Sequence, residues 1–337
     1  MQFIRPQEVS APEAPPELEI VETYLRRQFA DCEGSLREIG LATLNAGGKR
    51  LRPLLLIQCG KIFAPVSERL LRAAAAFEMV HMASLIHDDL IDRASLRRNQ
   101  LPVYQRWGSQ RAVLAGDYLL GAAFAILAAA GPPPLLPLLA RIVQAMCRGE
   151  FSQADGGFDP SFTRERYYER IDQKTGRLFE GCCRAGALIG NAGPEPLERL
   201  AEFGREFGRA YQIGNDVSDF IGPTAETGKP NWEDFRQGVL TLPLLLLLED
   251  PAHRDWLRSQ LAARRVNETV RRQLWQRLIR AGALQEALRI AAAHLSQAQE
   301  ELRSLPDSEA TLALNNFVER FLHKLKLSGN GLAAVES

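Results

Sequence analysis

With 337 residues, 46% hydrophobic and 24% charged, the chain has the makeup of an ordinary globular protein holding one large domain or two small ones. Its 41 basic and 41 acidic residues cancel, which excludes a global field for nucleic acid or an anionic membrane, so any cationic function must be local. The five cysteines, odd in number and without a CxxC pair, argue against a disulfide framework or a zinc ribbon and fit free thiols in a reducing cytoplasm.

Met1 to Pro16 is rich in Pro and Glu and lacks the apolar centre of a signal peptide, so it reads as a disordered tail (1–16) ahead of one domain spanning 17–330. Beyond it β-branched residues are sparse, and apolar positions recur with helical rather than strand periodicity. Helices are predicted over 18–45, 51–63, 67–92, 101–107, 109–130, 134–155, 163–192, 195–221, 236–249, 255–263, 267–281, 284–304 and 309–326. Breaks fall at Gly47-Gly48, Pro65, Gly131 with its three prolines, Asp155 to Pro160, Gly193-Pro194, Gly222-Pro223 and Leu305-Pro306. Asp307 and Ser308 suit the N-cap of the last helix. The best membrane-span candidate, Tyr118 to Gly131, stops at Pro132 and is too short to cross a bilayer. The expected architecture is all-α: a single-domain orthogonal bundle of about a dozen helices around a central cavity.

Two acidic pentads stand out, Asp88-Asp89-Leu90-Ile91-Asp92 and Asn215-Asp216-Val217-Ser218-Asp219, 127 positions apart. On a helix, residues i and i+4 share a face, so Asp88 aligns with Asp92 and Asn215 with Asp219. Like charges held so close call for a hard cation, and several carboxylates around one polyphosphate suggest Mg²⁺. Cations follow both pentads: Arg97 and Arg98 after the first, Lys229 after the second. Only six of the 41 basic residues are lysine, and three of those (Lys49, Lys174, Lys229) lie in Gly- or Thr-containing segments, which hints at a need for a compact ammonium. The competing reading of an acidic helical run is a solvated face.

In order, the chain carries Gly47-Gly48-Lys49-Arg50-Leu51-Arg52-Pro53, then His81 to Arg98 with the first pentad and its Arg pair, then Lys174-Thr175. Tyr211-Gln212 precedes the second pentad, and Gly228-Lys229-Pro230 and Asp234 follow it. Together these motifs resemble the trans-isoprenyl diphosphate synthases (the polyprenyl synthetase family) over about residues 20–326. The resemblance implies the isoprenoid synthase fold and an enzyme that ionises an allylic diphosphate and condenses the cation with isopentenyl diphosphate. It implies three Mg²⁺ ions, with Asp88 and Asp92 ligating two of them and Asp89 in the outer shell. Asn215, Asp216 and Asp219 would serve the third ion, with Asp234 acting through water. Arg97, Lys174 and Lys229 would hold the allylic diphosphate. Lys49, Arg52, His81 and Arg98 would hold isopentenyl diphosphate, arginine offering its fork to phosphate. Thr175 and Gln212 would sit over the reacting carbons. His81 reads alternatively as a core histidine, and His87 as a supporting neighbour of Asp88. Gly149, Glu150 and Gln153 match a family pattern that helix packing explains equally well. A homodimer is expected, with no nucleic-acid partner and no integral membrane segment.

Asn215 departs from the family pattern, where the second pentad begins with Asp. An amide oxygen still ligates Mg²⁺, so an active enzyme with a raised Mg²⁺ demand is expected. Product length is read from the stripe Asp88, Ser84, Val80, Ala76, since each helical turn rises about 5.4 Å, roughly one isoprene unit. Ser84 and Ala83 stand where short-chain members carry an aromatic plug, Phe77 would form a deep floor, and Gly121, Ala122 and Ala123 would widen the channel from the neighbouring helix. The expected product is a long all-trans chain of about C30–C50. The alternatives are a farnesyl- or geranylgeranyl-length synthase and a non-catalytic partner subunit. A cyclase fits less well, because Gly47 to Pro53 and the Arg pair serve a second diphosphate.

Overall fold

The computed structural model describes residues 15–98, 100–221 and 232–336, which are helical throughout apart from loops and a bridge between Arg97 and Gln100. The first half comprises α1 (Pro16–Arg27), α2 (Gly34–Asn45), α3 (Leu51–Lys61), α4 (Glu68–Ile91), α5 (Val103–Trp107), α6 (Ser109–Ala130) and α7 (Leu135–Asp155). Next come α8 (Arg164–Ile171), a π-helical turn (Asp172–Gly176), α9 (Arg177–Ile189) and α10 (Pro194–Ile221). The chain ends with α11 (Glu233–Gln237), α12 (Leu242–Glu249), α13 (Pro251–Ala262), α14 (Glu268–Arg280), α15 (Ala283–Leu302) and α16 (Glu309–Glu336). The all-α expectation holds.

The helix starts follow local chemistry. Ser67 accepts from Leu70 N at 3.2 Å ahead of α4, and Asn267 accepts from Val270 N at 3.0 Å ahead of α14. Ser308 caps α16 as expected, accepting from Thr311 N at 3.1 Å. Three expected helices are divided. The segment 18–45 is two helices, because the chain turns between Gln28 and Glu33 and enters α2 through Gly34 at φ 55°. The segment 236–249 becomes α11 and α12, separated by Gly238 at φ 78°. The segment 163–192 carries the π turn in its middle. Of the expected N-terminal tail, residues 1–14 lie outside the described residues, and Pro16 already opens α1.

The interior is built on α3, α4, α9 and α10. Nearly every residue of α3 is buried, as are Ala73 to Val80 of α4, as expected of helices enclosed by others. α3 packs on α9 and α4, α4 also packs on α6, and α10 lies between α9 and α15. α6 corrects the membrane-span expectation: over Ser109–Ala129 it is long and apolar enough to cross a membrane by length and composition, because the helix continues upstream of Tyr118, past Asp117, through the apolar residues Ala112 to Ala115. Ala112, Ala115, Leu119, Ala123 and Leu127 form its buried side, while Val113 and Leu114 are exposed.

Candidate active site

Both acidic pentads lie at helix C-termini. Asp88 is in the last turn of α4 with Asp92 at its C-cap, and Asn215, Asp216 and Asp219 occupy the last two turns of α10. The carbonyl end of a helix carries partial negative charge, so these carboxylates deepen an already negative potential and favour a cation between them. Burial raises the Asp88 carboxyl to about 7; Glu150 and Asp92 add to the rise, and Lys174 and Arg97 oppose it. Asp216 is also raised to about 7, by burial first and then by Asp234, against hydrogen bonds from Tyr167 and Gln212.

The two acidic ends line one cavity of about 540 Å³. Its walls also include Lys49, Arg52, His81, Asp89, Arg97, Arg98, Lys174, Thr175, Gln212 and Asp234. Every site residue expected from sequence is therefore brought to one place except Lys229, which lies outside the described residues along with the rest of 222–231. Asp219 reaches Asp234 through the backbone: its carboxylate accepts from Glu233 N at 3.2 Å and Asp234 N at 3.3 Å, capping α11. Gln237 of α11 donates to the Asp92 carbonyl at 3.3 Å and ties the two acidic ends together.

One side of the cavity is cationic. Lys49, Arg50 and Arg52 come from the turn that opens α3, and His81 from α4. Arg97 and Arg98 come from a tight turn closed by Arg97 N to Gln100 O at 2.8 Å and Gln100 N to Arg97 O at 2.9 Å. Arg50 and Arg98 both hold left-handed backbone, at φ 48° and 51°, a conformation that costs a non-glycine residue of order 1 kcal/mol. Arg50 is held there by buried Glu78 at 2.9 Å and by Glu22 of α1. Arg52 lies over the Phe179 ring at 4.5 Å, and its Nε has no hydrogen-bond partner among the described residues. Burial, with Arg97 and Arg50 beside it, lowers Arg98 below the ordinary arginine value. Desolvation and the neighbouring guanidiniums hold His81 well below the usual histidine range, so its ring is neutral. Mutually repelling guanidiniums with an unsatisfied buried N–H are complementary to a multi-oxygen anion such as a diphosphate.

The third wall is the π turn. Lys174 pairs with Glu150 at 2.7 Å and Gln153 at 3.3 Å, so these two residues of α7 make polar contacts to the cavity wall besides packing. Thr175 donates to Gln212 at 2.9 Å, Gln212 donates to Asp216 at 2.8 Å, and Tyr167 donates to the other Asp216 oxygen at 2.6 Å. Tyr167 and Arg170 were not anticipated. Arg170, 3% exposed, donates to the Leu240 carbonyl at 2.6 Å and faces Asp216 and Asp234. The signal available was spacing: Arg170 stands four residues before Lys174, on the same helical face.

Further contacts add to the expectation or depart from it. Asp89 and Arg97 hold each other, Arg97 Nε and Nη2 lying 2.7 and 2.5 Å from one Asp89 oxygen. His87 turns from Asp88 toward α6, where its Nε2 meets the Val113 carbonyl at 3.2 Å. Gly121 is exposed, with open space where a Cβ would be, so it does not widen a channel. The cavity reaches Ser84, Leu85 and Met146 but not Val80 or Ala76, which are buried in the core along with Phe77.

A cation fits the donor set. The acidic ends offer only hard oxygen donors, and among the described residues no three Asp, Glu, His or Cys side chains converge into a finished cage. Mg²⁺ is commonly held in this way, by one or two carboxylates with substrate phosphates and water completing its shell.

Comparison with known proteins agrees with this geometry. The polyprenyl synthetase family model matches residues 33–278. Heptaprenyl diphosphate synthase component 2 of Geobacillus stearothermophilus is 38% identical over 235 residues, 69% of this chain and 73% of that protein. Geranylgeranyl diphosphate synthase of Methanosarcina mazei is 32% identical, covering 80% of this chain and 84% of its own. The crystal structure of a polyprenyl synthase from Caulobacter crescentus, complexed with calcium and isoprenyl diphosphate, superposes with a TM-score of 0.87 at 29% identity, over 92% of this chain and 95% of that one. The chain belongs to the polyprenyl synthetase family, and it is a prenyltransferase.

Proposed function

We propose that this protein is a Mg²⁺-dependent all-trans polyprenyl diphosphate synthase that extends an allylic diphosphate with isopentenyl diphosphate to a product of about C30–C50. The observation that carries the reading is the juxtaposition in one cavity of two acidic helix ends, a cationic cradle and a hydroxyl–amide pair. When bound, Mg²⁺ supplies Lewis-acid neutralisation of the departing diphosphate. Asp88 and Asp92 hold cations on one rim, with Asp89 supporting through Arg97. Asn215, Asp216 and Asp219 would hold them on the other, with Asp234 acting through water.

Lys174, Arg97 and Lys229 hold the allylic diphosphate, while Lys49, Arg52, His81 and Arg98 hold isopentenyl diphosphate. Neutral His81 offers a ring N–H without adding charge to a cradle already rich in guanidinium. The Thr175 and Gln212 oxygens would face the carbon on which the cation develops, and their dipoles would lower its energy. Diphosphate leaves, the homoallylic double bond attacks, and the departing diphosphate takes the proton. The catalytic domain spans 17–330.

Long-chain specificity is supported by small Ser84, one helical turn before Asp88, and by Met146, an adaptable unbranched side chain that also lines the cavity. A homodimer is supported by the apolar exposed side of α6, and a reducing cytoplasm by the free thiols of Cys32, Cys59, Cys147, Cys182 and Cys183. A heteromer is the second reading, favoured by the "component 2" in the name of the Geobacillus relative. The test incubates purified protein with Mg²⁺, labelled isopentenyl diphosphate and farnesyl or geranylgeranyl diphosphate, then sizes the products. A long-chain ladder supports the proposal, growth that stops at C20 refutes the length, and no elongation from either primer refutes long-chain activity of the chain alone.

A further inference from the structure

Lys174 and Thr175 sit on a π turn rather than a regular helix, closed by Arg177 N to the Asp172 carbonyl. Such turns are short and recur at functional sites; relaxing this one to α-helix would rotate a residue by about 100° and turn both side chains from the cavity. Something must hold it. The first residue of the turn, Asp172, accepts a forked pair from Arg209 of α10, Nε to Oδ1 at 2.7 Å and Nη2 to Oδ2 at 2.5 Å. Arg209 is braced in turn by Glu206 at 2.7 Å, Glu206 by His294 of α15 at 2.6 Å, and His294 by the Tyr168 hydroxyl at 3.2 Å.

None of these groups lines the cavity. They continue a stripe on α10, Glu206, Arg209, Gln212 and Asp216, whose spacing of three, three and four keeps one helical face. The outer half of the stripe grips Asp172, and the inner half meets Thr175 through Gln212.

We propose that the Arg209–Asp172 fork is a positioning device for the allylic half of the site: it sets the register of the π turn against α10 and so the placement of Lys174 and Thr175. This rests on the reading of the cavity given under Proposed function. The isopentenyl half is built on α3, α4 and the Arg97–Gln100 turn, which the fork does not touch.

The test compares Arg209→Met, Asp172→Asn, their double variant, Arg209→Lys, and Arg205→Met as a control whose partner is Glu202. Steady-state kinetics with farnesyl diphosphate and isopentenyl diphosphate varied separately, at saturating Mg²⁺, are paired with calorimetric binding of the unreactive farnesyl thiodiphosphate. The expected result is a fall of about 10- to 100-fold in kcat/KM for the allylic substrate and weaker thiodiphosphate binding. The KM for isopentenyl diphosphate stays within about twofold. The double variant is no worse than either single one, Arg209→Lys recovers most of the loss, and melting temperatures match that of Arg205→Met.

Unchanged allylic parameters overturn the proposal. So does a loss shared by both substrates in proportion to the unfolded fraction, because that is what a merely structural pair would give. If the unaltered enzyme fails to elongate any primer, the reading of the function falls, and thiodiphosphate binding still reports on the fork; equal binding, or none, in all variants overturns it.

Discussion

Replacing Gly149 by alanine would place a methyl group 2.9 Å from the amide nitrogen of Lys174 and 3.2 Å from both the Gln173 Cβ and the Lys174 Cα. Ordinary contact begins at 3.4 Å, so the π turn must withdraw from α7 by roughly 0.5 Å against its nearest atom, which is backbone and cannot rotate aside. Overpacking of this kind costs about 1–3 kcal/mol. Exchanging glycine for alanine inside α7 returns about 1 kcal/mol of helix propensity. The net loss of about 0–2 kcal/mol corresponds to a melting-temperature drop of no more than about 3 °C for a chain of this size, given roughly 2 cal/mol/K of unfolding entropy per residue.

Catalysis has no such compensation. The displaced turn carries Lys174 and Thr175, and the shift also lengthens the contacts of Lys174 to Glu150 and Gln153, so kcat/KM for the allylic substrate should fall about 10- to 100-fold. Thermal unfolding beside single-turnover elongation of farnesyl diphosphate checks both halves. Full activity with an unchanged or higher melting temperature would show that the turn adapts freely and that its position is not limiting.

Asn215→Asp should lower the Mg²⁺ concentration for half-maximal rate, since a carboxylate replaces a neutral amide among the oxygen donors; an unchanged Mg²⁺ titration removes Asn215 from cation binding. Ser84→Phe should fill the base of the cavity beneath Asp88 and shorten the product to about C15–C20, read by chromatography of the dephosphorylated alcohols. An unaltered ladder would mean that the chain grows along another path. For Glu206, burial pushes the carboxyl up, but the His294 hydrogen bond and the charges of His294, Arg209 and Arg205 outweigh it and leave it below its ordinary 4.5. A carboxyl depressed in the folded state stabilises above its unfolded value and loses that contribution as pH falls through the folded one. The Glu206→Gln variant should therefore lose less stability than the parent on acidification from pH 7 through the region below 4.5, measured by denaturant unfolding; parallel curves would contradict the ion-pair assignment.

Much of this protein is written locally. Helical periodicity, the caps at Ser67 and Ser308 and the scarcity of β-branched residues determine an all-α chain, because each depends on neighbours within a turn or two. The spacing in each pentad determines which carboxylates share a face, and the order of the motifs identifies the family before any contact is known. Tertiary structure decided the rest. Nothing local shows that the C-termini of α4 and α10 meet across one cavity, or that Asp219 reaches Asp234 by capping α11. Asp89 is engaged by Arg97, and Gly121 faces outward, for reasons set by which helix packs where. The π turn is the clearest case: its residues read as plain helix, and only the close approach of Gly149 from α7 and the grip of Arg209 from α10 make the wider turn the one that fits. Local sequence carries periodicity and chemistry; long-range packing supplies register, and register places the reacting groups.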